Sequence, residues 1–297
     1  MHDAARPHSI EWWLADVRAH FVEAAPDLLS LFEIYAAEAA FGRLYIATEL
    51  QRLEYGAKVL EVGAGSLLLS CQLVREGFLV TALEPLGAGF SHFDRMRRVV
   101  LERADALGCL PRVVDSTAEA FVEPETFAFA YSVNVMEHVG DVACSIRNIA
   151  ESLNSGACYR FTCPNYFFPY EPHFNIPIFF SKRITEKLLN RKIFGCTSMP
   201  DPAGTWRSLN WINVAQVSRI GRRIPGLQVK FNRSFFVGAL ERIVWDGKFA
   251  ERRSPVMRVV LGVLVRLRLH YLFGFVPAAF QPAMDCMLRK TAHSERG

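Results

Sequence analysis

The segment from Lys58 to Leu69, KVLEVGAGSLLL, constrains the fold more than any other part of the chain. Its first half, Val59 to Val62, is a short apolar run with the β-branched character of a buried strand. The run breaks at Gly63-Ala64-Gly65 and continues from Ser66 with helical spacing. A strand, a glycine turn and a helix N-terminus predict a nucleotide-binding crevice, because glycine lets the backbone approach a ligand and the helix start offers unpaired N–H groups.

Two further observations limit the class of nucleotide that this crevice could bind. A dinucleotide fingerprint, G-x-G-x-x-G, would need a glycine at position 68, where Leu68 stands. A second predicted strand, Phe78 to Leu83, ends at Glu84-Pro85, and a carboxylate at this place can accept from both hydroxyls of a ribose. The alternatives are an ordinary turn at the glycines and a turn-initiating Glu-Pro.

Composition indicates a globular protein. Of the 297 residues, 51% are apolar and 22% are charged, which allows one domain with insertions or two domains. Seven cysteines without a CxxC pair indicate a reducing compartment rather than a disulfide framework. The first residues lack the pattern of a secretory signal, and no uncharged apolar stretch reaches the roughly 18–20 residues that a spanning helix needs. We therefore expect a cytoplasmic protein.

Positive charge is concentrated in the last third of the chain. From Arg219 onward there are 15 Lys/Arg and 5 Asp/Glu, whereas the first 218 residues hold 19 and 25. This third is also apolar, which suits an anionic membrane surface or an acidic substrate better than nucleic acid. Val256 to Leu272 is a predicted apolar helix that carries three arginines, Arg258, Arg266 and Arg268. It predicts peripheral contact with the inner membrane surface; the alternative is a helix packed on the domain or at a dimer interface.

Alternating strands and helices are predicted through the middle of the chain. Residues 9–56 have apolar positions at three- and four-residue steps and are predicted to be helical. Further strands are predicted at 111–114, 127–132, 158–162, 226–236 and 284–290. Helices are predicted at 66–75, 88–107 and 141–153, the second with Arg95, Arg97 and Arg98 on its exposed side. Five βα units between 57 and 163 predict a doubly wound parallel sheet with ligands at the carboxyl edge.

The segment after the fourth predicted strand carries a family resemblance. FAFAYSVNVMEHV, from Phe127 to Val139, resembles the FDxVxSxxVLEHV segment of the ubiquinone-biosynthesis-like (methyltransferase type 11) group of class I S-adenosylmethionine (SAM) methyltransferases. Glu61 to Gly65 likewise resembles motif I of that class. The resemblance covers about residues 45–166. The chain departs from the family pattern at Leu67, Thr117 and Ala128, where the family has a glycine, an acid and an aspartate.

The resemblance implies a fold and a cofactor. The implied fold is α/β: a Rossmann-like, doubly wound, seven-stranded sheet with the last strand antiparallel, preceded by a helical cap (1–56). The methyltransferase domain (57–297) would carry insertions after strands 5 and 6 (164–225 and 237–280) that form a substrate lid. The implied cofactor is SAM. The residues that would contact it are Glu61, Gly63, Ala64, Gly65, Glu84, Pro85, Ser116, Thr117, Ala118, Asn134 and Val135.

The loop after the fifth predicted strand holds the candidate catalytic groups. It contains His173, which could take a proton from a hydroxyl or amine, and Glu171 as its partner. His138 is a second candidate; it could be a base, a metal ligand with Glu137, or a capping or packing histidine. Methyl transfer itself needs no metal, so no metal site is predicted. Three more residues of this insertion are expected to line the pocket: Trp206, Trp211 and Asn213.

The sequence therefore predicts a SAM-dependent methyltransferase that acts by in-line attack on a small-molecule or lipid-like acceptor, at a hydroxyl oxygen. No nucleic-acid partner is expected, and the oligomeric state is left open. The alternative from another class is a SAM-binding pseudoenzyme or scaffold without transfer activity. An NAD-dependent oxidoreductase is disfavoured by Leu68.

Overall fold

The structure, a computed structural model, contains a seven-stranded mixed sheet with the order β3-β2-β1-β4-β5-β9-β8. It describes residues 8–85, 91–197, 201–245, 247, 250 and 255–291. The strands of this sheet are β1 (Lys58–Val62), β2 (Leu79–Leu83), β3 (Arg112–Val114), β4 (Phe127–Val133), β5 (Leu153–Pro164), β8 (Leu227–Phe231) and β9 (Ala283–Lys290). A separate antiparallel pair consists of β6 (Tyr170–Glu171) and β7 (Ile176–Pro177).

The strand order confirms the predicted doubly wound fold. β1 pairs in parallel with β2 and β4, and β2 pairs in parallel with β3. The chain therefore reverses its winding direction between β1 and β4, and the last strands run antiparallel. In such sheets ligands bind beyond the carboxyl ends of the strands at the reversal point.

The helices of the described residues are α1 (Ile10–Ala24), α2 (Leu29–Tyr45), α3 (Ala47–Leu50), α4 (Leu68–Arg75), α5 (Ser91–Ala106), α6 (Val142–Ser152), α7 (Lys182–Phe194), α8 (Pro202–Ser208), α9 (Val214–Arg223), α10 (Phe235–Trp245) and α11 (Pro255–Arg266). The chain divides into two compact units. The first contains residues 1–133, 148–159 and 290–297, and the second contains residues 134–147 and 160–289.

In the first unit, α1 packs against α2, α4 and α5. Ser9 caps the start of this helix, because its hydroxyl accepts from the Trp12 N–H. Its apolar positions recur at three- and four-residue steps and are fully buried at Trp13, Val17 and Phe21. The Trp13 indole N–H donates to the Leu68 carbonyl at 2.8 Å. The helical N-terminal region predicted from this spacing is therefore observed, whereas the boundary after residue 56 stays a prediction.

Two details of the first unit differ from the sequence prediction. Helix α4 begins at Leu68 rather than Ser66, because Leu67 has a left-handed backbone (φ 64°) that cannot continue a helix. Arg97 was expected on the exposed face of α5 but is only 6% exposed, since it pairs with Asp94 and Glu84. Residues 88–90 of the predicted helix lie outside the described residues.

In the second unit, polar side chains join the later strands and the loop that precedes β9. The Arg160 guanidinium makes two hydrogen bonds, of 3.0 and 2.6 Å, with the Asp285 carboxylate of β9. The Asn165 side-chain amide donates to three backbone carbonyls in the loop before β9, those of Ala278, Ala279 and Gln281. Asp285 is 2% exposed, so these bonds lie within a packed interior.

The apolar helix predicted from Val256 to Leu272 is shorter than expected. Helix α11 ends at Arg266, and a 3₁₀ helix covers Leu269–Phe275. The break lies at Arg268, whose φ of 59° is left-handed. No helix within the described ranges is long and apolar enough to cross a membrane.

Candidate functional site

The glycine turn after β1 contains three left-handed residues at alternate positions. Gly63, Gly65 and Leu67 have φ values of 72°, 50° and 64°. The Gly63 N–H donates to the Leu83 carbonyl at 2.8 Å, which fixes the turn to the end of β2. Glycine adopts this conformation without steric cost at the first two positions. Because both neighbours of buried Ala64 are glycines, no Cβ blocks a ligand from the backbone on either side of it.

Glu84 closes the other side of this turn. Its Oε2 accepts from the Gly65 N–H at 3.0 Å, and its Oε1 lies 3.8 Å from Arg97 Nη1. The backbone N–H of Glu84 donates to the Val114 carbonyl at 3.1 Å. Burial raises the pKa of Glu84, and the Gly65 N–H and Arg97 oppose that shift. Pro85 follows, half-buried.

Glu61 lies beneath the turn rather than at its surface. Its side chain is nearly buried, and the Ser70 hydroxyl of α4 donates to its Oε2. Burial raises the pKa of Glu61 to about 7, although the Ser70 hydrogen bond favours the ionised form. Glu61 thus joins the end of β1 to α4 from inside.

The loop after β3 holds the predicted adenine-side residues. The Ser116 N–H donates to the Val114 carbonyl at 3.1 Å, and its hydroxyl donates to the Thr117 carbonyl. Ala118 is buried, whereas Thr117 is exposed. The Glu84–Val114 bond therefore brings this loop beside the glycine turn within the same unit. The remaining two cofactor candidates, Asn134 and Val135, belong to the second unit.

In the second unit, the turn after β4 is held by Asn210, which belongs to the insertion after β5. Asn134 is exposed and left-handed (φ 55°), and its N–H donates to the Thr162 carbonyl at 2.8 Å. The Asn210 side chain donates to the carbonyls of Met136 and Val139, both at 2.8 Å. The Asn210 N–H also donates to the Glu137 carbonyl at 2.8 Å. Three bonds thus fix the backbone that carries Glu137 and His138.

Two histidines face the Glu137 carboxylate in this unit. His138 Nε2 and His173 Nε2 lie 4.0 and 3.9 Å from Glu137 Oε1, and the two rings are 5.4 Å apart. Glu137 is fully buried, and neither of its carboxylate oxygens has a hydrogen-bond partner among the described residues. Burial raises the pKa of Glu137 to about 7, and the nearby His173 opposes this shift. Burial, His173 and Lys182 lower the pKa of His138 to about 3.

Each histidine is held by a further group at its other nitrogen. His173 Nδ1 lies 2.6 Å from Glu171 Oε1. Glu171 is the partner that the sequence predicted for His173. The Glu171 carboxylate also accepts from the Tyr166 hydroxyl and the Phe174 N–H, at 3.2 and 2.7 Å. His138 Nδ1 lies 2.8 Å from Ser208 Oγ.

Comparison with known proteins places the chain in a family. It is 47% identical over 281 residues, 95% of each chain, to the Mycobacterium tuberculosis protein named "Uncharacterized protein Rv1509". The chain belongs to the family of this mycobacterial protein. It is also 30% identical over 111 residues to a ubiquinone biosynthesis O-methyltransferase of Vibrio cholerae, which is 37% of this chain and 43% of that protein. No family model matches the chain.

A solved structure identifies the fold. The phosphoethanolamine N-methyltransferase 2 of Haemonchus contortus, in complex with S-adenosyl-L-methionine, matches with a TM-score of 0.51 at 15% identity. The match covers 84% of this chain and 52% of that chain. The chain has the class I SAM-dependent methyltransferase fold. The resemblance predicted from motif I and the NVMEHV segment is thereby confirmed.

Three residues that hold the candidate site were not predicted from the sequence. Arg97 pairs with Glu84, Asn210 fixes the turn after β4, and Ser208 holds His138. Arg97 had a local signal, because it lies three positions from buried Val100 and seven from buried Ala104, on the same face of α5. Asn210 and Ser208 contact residues about 70 positions away, so no local pattern indicates them.

The aromatic residues of the insertion pack among themselves. Trp206 is 1% exposed, and its indole N–H donates to Glu186 at 2.8 Å. Trp211 stacks on Tyr166 with ring centroids 5.6 Å apart. Asn213 caps α9 by accepting from the Gln216 N–H. Trp206 and Asn213 therefore have structural contacts that account for them within the second unit.

Proposed function

We propose that the chain binds SAM at the glycine turn and transfers its methyl group to a hydroxyl oxygen of a small-molecule or lipid-like acceptor. The observation that carries this proposal is the Gly65–Glu84 hydrogen bond. It sets a carboxylate for ribose hydroxyls beside a turn whose backbone can approach the rest of the ligand.

The residues of the first unit fit SAM in chemistry. Glu84 would accept from the ribose hydroxyls, and the backbone of Gly63, Ala64 and Gly65 would contact the amino-acid end. The backbone of Ser116 to Ala118 would lie against the adenine. Glu61 would support the turn from beneath through Ser70. Asn134 and Val135 are proposed as further contacts. When bound, SAM supplies an electrophilic methyl group.

The acceptor side of the reaction is proposed for the second unit. Methyl transfer depends mostly on holding the attacking oxygen in line with the sulfonium methyl group. His173 and His138 are proposed to contact the acceptor, and Glu171 fixes the His173 ring by its 2.6 Å contact. The O-methyltransferase name of the Vibrio cholerae relative supports an oxygen acceptor. We also propose a substrate lid over the acceptor, formed by residues 164–225 and 237–280. The helical N-terminal cap is proposed to span residues 1–56.

Calorimetric titration with SAM and with S-adenosylhomocysteine tests the cofactor proposal. We expect one binding site per chain, with an affinity that falls at least tenfold in Glu84→Ala, because a charge-assisted hydrogen bond to the ribose is lost. Glu123→Ala is the matched control, since it breaks an exposed Arg112–Glu123 pair in the same unit. Equal affinities in the two variants would contradict the ribose role of Glu84.

Turnover separates an enzyme from a binding scaffold. A panel of phenols and hydroxylated fatty acids, with release of S-adenosylhomocysteine as the readout, is expected to contain at least one methylated acceptor. Tight SAM binding without product across hydroxyl, amine and thiol panels would favour the scaffold alternative.

We also propose that the segment 255–280 lies against an anionic membrane surface on the cytoplasmic side. One face of α11 packs on the cluster around Leu240 and Ile243 through Leu261 and Val265. The residues outside that face include many exposed apolar side chains: Val259, Val260, Val263, Leu267, Leu269, Leu272 and Phe275. Three exposed arginines, Arg258, Arg266 and Arg268, accompany them. Apolar and cationic side chains together favour the interface of an anionic bilayer.

Vesicle flotation tests this part of the proposal. We expect binding to phosphatidylglycerol-containing vesicles that is weaker with pure phosphatidylcholine and weaker in high salt. The double substitution L272D/F275D should abolish it. V122D changes an equally exposed apolar residue of the first unit and should bind as the unsubstituted chain does. Failure to float with anionic vesicles would overturn the membrane proposal and leave the cofactor proposal untouched.

A further inference from the structure

Glu137, His138 and His173 bring three potential metal-ligand atoms together in the second unit. One ligand atom from each residue lies within 4.8 Å of the other two. Glu137 is fully buried, and neither of its oxygens has a hydrogen-bond partner among the described residues. A buried carboxylate without a partner is costly, so a cationic group between these side chains would stabilise the arrangement.

The hydrogen bonds around the cluster determine which imidazole nitrogens carry lone pairs. Ser208 Oγ donates to the Thr205 carbonyl at 2.8 Å, so it accepts from His138 Nδ1. The Glu171 carboxylate likewise accepts from His173 Nδ1 at 2.6 Å. In the neutral rings, Nε2 is then the nitrogen that holds the lone pair. Both Nε2 atoms are the ones that face Glu137 Oε1, at 4.0 and 3.9 Å.

Three lone-pair donors that face one another, each histidine held by an oxygen at its far nitrogen, have the arrangement of a metal site with its supporting groups. We propose that Glu137, His138 and His173 bind one divalent transition-metal cation of the zinc, cobalt or iron class. Two imidazoles and one carboxylate favour these ions over Mg²⁺ or Ca²⁺, which prefer oxygen ligands.

The distances suit such an ion after a small adjustment. Ligand atoms about 2.1 Å from a tetrahedral ion lie about 3.4 Å apart. The observed separations of 3.9 and 4.0 Å from the Glu137 oxygen exceed this by about half an ångström, and the third pair of ligand atoms lies within 4.8 Å, so the imidazole rings would rotate inward when the ion binds. Asn210 fixes the backbone of the turn, so the two ligands on it are already held at adjacent positions.

A three-ligand site leaves coordination positions for another oxygen. In the reaction proposed above, and resting on it, the cation would bind the acceptor hydroxyl and lower its pKa, with the proton passing to solvent. His173 would then be a ligand instead of the base that the sequence suggested. Cation binding itself needs neither SAM nor an acceptor, so it can be tested alone.

The test uses the full-length chain after treatment with EDTA and removal of the chelator. Titration with Zn²⁺ by calorimetry and with Co²⁺ by visible absorption should show one site per chain. The cobalt spectrum should have d–d bands without the thiolate charge-transfer band that the seven cysteines would give. Mg²⁺ should not compete. Absence of stoichiometric Co²⁺ and Zn²⁺ binding, or a thiolate spectrum, would overturn the proposal.

Variants assign the ligands. E137Q keeps the size of the side chain and should weaken Zn²⁺ binding at least 100-fold. S208A and E171Q act through the histidines and should weaken it 10- to 100-fold, which keeps the proposal testable if E137Q does not fold. H20A is the control, because His20 lies 4.0 Å from Glu102 in a pair that no third potential ligand joins among the described residues. Unchanged affinity in E137Q, S208A and E171Q would instead favour a protonated imidazole between the carboxylates.

Discussion

At the scale of single residues, Leu67 shows how the chain departs from the motif I pattern of class I SAM methyltransferases and still forms the turn. A left-handed backbone costs a residue with a side chain roughly 1–2 kcal/mol. Leu67 adopts it with φ 64° and is fully buried. Burial of a leucine side chain contributes about 1.5–3 kcal/mol, which is enough to offset the strain.

Leu67→Gly should therefore destabilise the chain although it removes the strain. The expected loss is about 2 kcal/mol in the free energy of unfolding, because the lost burial and the cavity outweigh the relief. Urea denaturation followed by circular dichroism measures it. A variant more stable than the unsubstituted chain would show that strain dominates at this position.

Glu61 should make stability depend on pH. Its pKa of about 7 lies above the ordinary value of 4.5, so the folded chain binds more protons than the unfolded chain between those values. The free energy of unfolding should then fall as the pH rises from about 4.5 to about 7 and change little above that, by at most about 3 kcal/mol in total. Glu61→Gln should remove this component. The difference between the two denaturation profiles across that range measures it, and parallel profiles would contradict the assignment.

At the scale of elements, the bidentate contact between Arg160 and Asp285 joins β5 to β9. Asp285 is 2% exposed, and its Oδ2 also accepts from the Asn232 amide at 3.0 Å, just after β8. Residues of β5, of β9 and of the loop after β8 thus meet at one carboxylate. Long-range contacts of this kind explain why β9 was predictable as a strand but its partners were not.

Asp285→Ala should cost about 3–5 kcal/mol of stability, because it removes the carboxylate that forms two hydrogen bonds with the nearly buried Arg160 guanidinium. Glu123→Ala breaks a pair whose arginine is 59% exposed, and should cost at most about 1 kcal/mol. Thermal and urea unfolding of the two variants provide the comparison. Similar losses would mean that Arg160 finds another acceptor or reaches water.

At the scale of the whole molecule, local patterns predicted the strands of the large sheet, most helices and the doubly wound class of the fold. They succeeded because β1 with its glycines, β2 with Glu84 and β4 with its NVMEHV segment each combine a short apolar run with a recognisable turn. They failed where backbone geometry or distance decides: Arg268 ends α11 early, and Arg97 turns inward to Glu84. The cluster of Glu137 with two histidines depends on a loop 35 residues further along the chain, so sequence alone left the role of His138 open.

The Gly65–Glu84 hydrogen bond has a consequence for the thermodynamics of ligand recognition. A glutamate side chain that becomes immobile gives up about 1.5–2 kcal/mol of rotamer entropy. Glu84 is already immobilised by the backbone of the turn that it serves, so that loss occurs when the chain folds and not when a ligand arrives. Recognition at this turn should therefore begin from an ordered carboxylate, with a smaller entropic penalty than a freely rotating side chain would impose.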